Sequence, residues 1–256
     1  MLKKDRTRIG VIFSSANPPN MIEFLGAMQA IATALIDKVL YVVDCARAGP
    51  PALSETTEDR CAMAQAAVAT FEPFITFTDL DGRQDLVLES TRMTNGRERL
   101  RAGGEDYAFR IFELNPKDRF TLVFISDGEH RRRTDECGRD DTINKLLLNI
   151  TQRYCGFDPE LHNVIGLFMC ESGQKQEDLT FSRDEKSLIE RGLFSIECME
   201  RPALGDVRGG KALARALKDA LEGRRPGYLA LIPPPVHSYL QTHSRCKQRL
   251  IQSVAE

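Results

Sequence analysis

The sequence predicts an α/β fold with a mainly parallel sheet flanked by helices, and three observations carry that expectation. Short apolar runs alternate with longer helical patterns almost from end to end, as in a chain that repeatedly passes from strand to crossover helix. The helix starts are punctuated by capping residues. Hydrophobic side chains make up 42% of 256 residues, enough for one sizeable core, and no linker or repeat divides the chain, so a single domain over 1–256 is expected.

In chain order, "RIGVIF" (8–13) reads as the first strand. The helical pattern over 21–36 follows, with Leu25, Met28, Ala32 and Leu35 on one face. "KVLYVV" (38–43) is the second strand, and "ETTEDR" (55–60) opens a helix with Thr57 as cap and Glu58 and Asp59 in its first turn. "PFITFT" (73–78) is a third strand. The charged, glycine-bearing tract 79–104 then reads as a long surface connection. "RFTLVFIS" (119–126) is a strand, and 141–154 is a helix with Ile143, Leu146, Leu147 and Ile150 aligned. "NVIGLFMC" (163–170) is a strand, followed by a second surface connection over 171–182. "SRDE" (182–185) forms a capping box through Ser182 and Glu185. "FSIECM" (194–199) and "YLALI" (228–232) complete the set of strands.

With 35 basic and 37 acidic side chains, the chain has no overall field that favours nucleic acid or an anionic membrane. Seven scattered cysteines without a CxxC pair read as reduced thiols. No apolar run reaches spanning length, and the expectation is a soluble, cytoplasmic protein. Self-association is left open. The four histidines share no metal-ligand spacing, and there is no nucleophile elbow.

In an open parallel sheet, ligands collect at loops beyond the carboxyl ends of the strands. The first such loop is "SSANPPN" (14–20). Ser14, Ser15 and Ala16 are small enough for close approach, and Asn17 with two prolines makes a stiff corner. No glycine lies between Phe13 and Glu23, which excludes the GxGxxG and Walker phosphate turns. The helix that follows would suit a phosphate at its amino end, yet Glu23 stands in its first turn. As a structural element, "NMIE" is a complete capping box, with Asn20 as cap and Glu23 three residues on. In the other reading, Glu23 holds a magnesium ion that in turn carries phosphates.

Here the sequence resembles the nucleotidyltransferases that include the nicotinamide and nicotinate mononucleotide adenylyltransferases. In "SANPPNMIEF", Asn17 and Pro18 match the family's strand, turn and Asn-Pro. Asn20, Ile22 and Glu23 stand at the first histidine, the glycine and the second histidine of its HxGH motif. Further similarity lies in "KVLYVVDCARAGPP", in "TTEDRCAMAQAAV" with Asp59 and Arg60, in "GEDYAFRIFELNP" (104–116), in "LVFISDGEHRR" (122–132) and in "DTINKLLLNI". Together these cover most of residues 8–170.

The resemblance implies a Rossmann-like fold of the nucleotidyltransferase type. It also implies adenylyl transfer from ATP to a pyridine mononucleotide, with release of pyrophosphate. Asn20 and Glu23 would take the catalytic positions, and Glu23 would be the magnesium ligand. Ser14, Ser15, Asn17, Ser126, Asp127, Arg131 and Arg132 would contact nucleotide, with Ser126 and Asp127 near the ribose. Where the family places a hydroxyl-rich, arginine-bearing phosphate segment, this chain reads "IPPPVHSYLQ", with Ser238 near the arginine position and Arg245 a turn or two later. Both histidines are replaced, so the resemblance also admits a catalytically inactive nucleotide-binding or regulatory protein on the same fold.

Overall fold

The computed structural model describes residues 7–14, 16–43, 56–78, 111–112, 117–127, 157–181, 183–202, 204, 207 and 210–253. Six strands form one sheet: β1 (Thr7–Ser14), β2 (Lys38–Val43), β3 (Ile75–Thr78), β4 (Phe120–Asp127), β5 (His162–Cys170) and β6 (Ser195–Glu200). Their order is β3-β2-β1-β4-β5-β6, and every pairing is parallel. The expected α/β architecture is therefore present. All carboxyl ends lie on one side, and the order reverses between β1 and β4, where such sheets open a crevice for ligands.

Alternation along each strand sends neighbouring side chains to opposite faces. Ile12, Tyr41, Val123, Ile125 and Leu167 belong to one core, packed with α1 (Met21–Ala32), α2 (Thr57–Val68) and the carboxyl-terminal helices. Val11, Val42, Leu122, Phe124 and Phe168 belong to the other, which includes Leu188 of α3 (Arg183–Glu190). Burial on both faces explains why the strands read as unbroken apolar runs. The carboxyl-terminal helices are α4 (Gly210–Leu221), α5 (Pro234–Thr242) and α6 (Ser244–Ser253).

Three expectations need correction. The helix over 21–36 ends at Ala32, and its buried residues are Ile22, Phe24, Gly26, Ala27 and Ala30 rather than the stripe of large side chains. Small residues let α1 sit close to the sheet, and a Cβ at Gly26 would run into Met169 Sδ. "YLALI" is no strand: Pro226–Leu231 is a 3₁₀ turn, because Pro226 and Pro233 bracket an apolar run too short to be told from a buried turn by pattern alone. The cap of α2 is Thr56 rather than Thr57, its hydroxyl accepting the Asp59 N–H at 3.1 Å. The predicted helix at 141–154, the connection at 79–104 and Ser182 lie outside the described residues. The tract 171–182 carries a short 3₁₀ turn, Gln176–Asp178, and buries Leu179. Among the described residues, Cys61, Cys170, Cys198 and Cys246 form no disulfide.

Asp59 ties the carboxyl-terminal helices to α2. Its Oδ1 accepts from Tyr239 Oη at 2.8 Å, and its Oδ2 accepts from Arg249 Nη2 at 2.8 Å and from Thr56 Oγ1 at 3.1 Å. Asp59→Ala is expected to lower stability by about 1–2 kcal/mol, since it removes hydrogen bonds from two further elements. Urea unfolding checks this, and an unchanged midpoint would show that the tie is dispensable.

Candidate functional site

The ladder between β1 and β4 runs only from Thr7↔Phe120 to Val11↔Phe124. Beyond that point β1 stays paired with β2 as far as Ser14↔Val43, and β4 stays paired with β5 as far as Asp127↔Met169. The two central strands thus part before either ends, and the opening lies at the switch point of the sheet. Ser14 stands on one side of it, with Ser126 and Asp127 on the other.

The β1–α1 loop is built by local hydrogen bonds. Ser14 Oγ accepts the Ala16 N–H at 3.0 Å, which holds Ala16 in the left-handed region at φ 48°. That conformation costs a non-glycine residue roughly 1–2 kcal/mol, and full burial of Ala16 fixes it in place. Asn17 follows, its Oδ1 buried without a hydrogen-bond partner among the described residues. Asn20 then caps α1, its Oδ1 accepting the Glu23 N–H at 3.2 Å.

The Glu23 carboxylate goes further than a cap requires. It receives Ser14 Oγ at 3.0 Å and 3.1 Å on its two oxygens, and Tyr41 Oη at 2.7 Å on Oε2. Burial pushes the Glu23 carboxyl above its ordinary value, and hydrogen bonds from Tyr41, Ser14 and Asn20 offset that only in part. Burial, with the Glu23 charge beside it, also holds the Tyr41 phenol well above its usual range. The amino end of α1 is therefore filled by a carboxylate from its own first turn.

Both Glu23 oxygens accept from hydroxyl donors, so a cation at this carboxylate would compete with the Ser14 and Tyr41 protons.

The structure brings together Ser14, Asn20 and Glu23. Asn17 sits in the same loop, and Ser126 is half-buried near the end of β4. Asp127 closes that strand. Ser15, Arg131 and Arg132 lie outside the described residues. Tyr41 was not among the residues singled out from sequence. Its signal was present, because a tyrosine on the core-facing register of "KVLYVV" must find a partner for its hydroxyl.

Pro233 is the cap of α5 and Pro234 and Pro235 open it, so three positions that would otherwise offer N–H groups have none. Ser238 Oγ donates to Pro234 O at 3.2 Å, and Arg245 is exposed on α6.

No family profile and no curated protein sequence matches this chain. Solved structures do resemble it in shape. Plasmodium falciparum nicotinic acid mononucleotide adenylyltransferase complexed with APC aligns at a TM-score of 0.51 and 12% identity, over 94% of this chain and 98% of that one. The same enzyme complexed with NaAD aligns with the same values. The fold is that of a nucleotidyltransferase. At this identity the likeness is one of architecture. In this chain the first turn of α1 is capped by Asn20 and carries Ile22 and Glu23. No helix among the described residues is long and apolar enough to cross a membrane.

Proposed function

We propose that this chain binds the nucleoside portion of an adenine or pyridine nucleotide at the β1/β4 opening, and that it does not perform adenylyl transfer at α1. The observation that carries this reading is the Glu23 carboxylate, seated in the first turn of α1 and held by Ser14 and Tyr41. Transfer from ATP to a mononucleotide needs no general base, because the attacking phosphate is already anionic. It depends on alignment and on neutralising charge at the transferring group. Losing one well-placed donor to such charge costs roughly 3 kcal/mol, and a carboxylate adds charge of the wrong sign. In this reading the ribose lies by the end of β4, at Ser126 and Asp127, with Ser14 and Asn17 on the β1 side.

The likeness to the Plasmodium adenylyltransferase favours a second reading, an active transferase making a dinucleotide from ATP and a pyridine mononucleotide. One assay separates the two. Purified protein is incubated with ATP, magnesium and either nicotinamide or nicotinate mononucleotide, and dinucleotide and pyrophosphate are quantified. The expected result is no product above the protein-free control, with nucleoside binding measurable by calorimetry and weakened in Asp127→Ala. Catalytic product formation would overturn the binding-protein reading, and unchanged affinity in the variant would remove Asp127 from the site.

A further inference from the structure

We infer that Glu23 sets the ligand class of the β1/β4 opening: the site takes a neutral nucleoside through its hydrogen-bond donors and discriminates against the same nucleoside carrying a 5′-phosphate directed at α1. The inference rests on the function proposed above and narrows it to a substrate class.

A phosphate is an acceptor and an anion, so a phosphate site must offer it donors and positive potential. Around the β1–α1 loop several donors are spent within the loop itself. The Ala16 N–H goes to Ser14 Oγ, the Ser14 hydroxyl proton goes to Glu23, the Glu23 N–H goes to Asn20 Oδ1, and the Tyr41 hydroxyl goes to Glu23 Oε2. Asn17 Oδ1, an acceptor, is buried without a hydrogen-bond partner among the described residues. The positive end of the α1 dipole is met by the helix's own carboxylate, which leaves little field for a second anion. The first turn of α5 is poor in donors, because Pro233, Pro234 and Pro235 have no N–H groups. An exocyclic amine, a carboxamide or a ribose hydroxyl supplies a donor to the Asn17 Oδ1 acceptor, and none of these brings negative charge toward Glu23.

The test measures affinity by calorimetry on the full chain for two matched pairs: adenosine with AMP, and nicotinamide riboside with its mononucleotide. In the wild-type protein at least one nucleoside is expected to bind, with its phosphorylated partner no tighter. In Glu23→Gln, a near-isosteric change that removes the charge and keeps one amide oxygen as an acceptor for Tyr41 or Ser14, affinity for the phosphorylated partner is expected to rise by about tenfold relative to the nucleoside, the scale of one nearby charge in a partly screened site. A measurable wild-type preference for the phosphorylated partner would overturn the inference while leaving the binding role intact. An unchanged ratio in Glu23→Gln would overturn it as well. Absence of binding by all four compounds would instead overturn the proposed function on which it rests. The wild-type comparison decides the matter even if the variant folds poorly.

Discussion

Phe24→Ala is expected to destabilise the protein by about 3–5 kcal/mol, the range for deleting a large aromatic from a packed core. Phe24 is fully buried and lies between two rings, stacked on Tyr41 at 5.1 Å and on Phe71 at 4.8 Å between centroids. The stack joins α1, β2 and the turn that leads into β3, so one deletion loosens three elements. It also removes the ring against which Tyr41 rests, and with it the alignment of the Tyr41 hydroxyl on Glu23. Urea unfolding monitored by circular dichroism gives the cost, and Phe24→Leu should recover a substantial part of it. A loss below about 1 kcal/mol would mean that the site collapses around the missing ring far more completely than cores usually do.

Tyr41→Phe should cost about 2 kcal/mol near neutral pH, the scale for removing a hydrogen bond to a charged group and leaving that group buried. The cost should shrink on acidification, because protonation of Glu23 removes the charge that needs the donor. The same carboxyl gives the wild-type protein a pH dependence of definite sign. Its native value lies above the ordinary 4.5, so the folded chain keeps a proton that the unfolded chain has released. Its contribution is fully present below the ordinary value and is lost as pH rises through the raised one. In Glu23→Gln this component is absent, so the stability difference should move in favour of the variant with increasing pH. Denaturation series on wild type and the two variants across that window check the sign. A wild-type protein that gained stability relative to Glu23→Gln over the same rise would contradict the burial argument.

The architecture was legible because strands buried on both faces must be apolar throughout and the crossover helices between them must be long. Both features survive in residue type alone. What was not legible depended on distance. Large side chains in α1 suggested a buried face through Leu25 and Met28, whereas the helix turns Gly26, Ala27 and Ala30 inward. Close approach to the sheet favours small residues there, and a pattern search weighted by size passes over them. "YLALI" misled for a different reason, since five apolar residues satisfy a strand and a turn equally well. At the candidate site, Asn20 and Glu23 were readable as a cap because the spacing of a capping box is local. Tyr41 was not, since its partnership with Glu23 joins β2 to α1 and exists only once the sheet is assembled.

The early parting of β1 and β4 beyond Val11 and Phe124 has a consequence for any guest. Entry between those strand ends breaks no inter-strand hydrogen bonds, because the fold has already left that stretch of backbone unzipped. The opening is preorganised, and the energetic cost of a cleft is borne at folding rather than at each encounter.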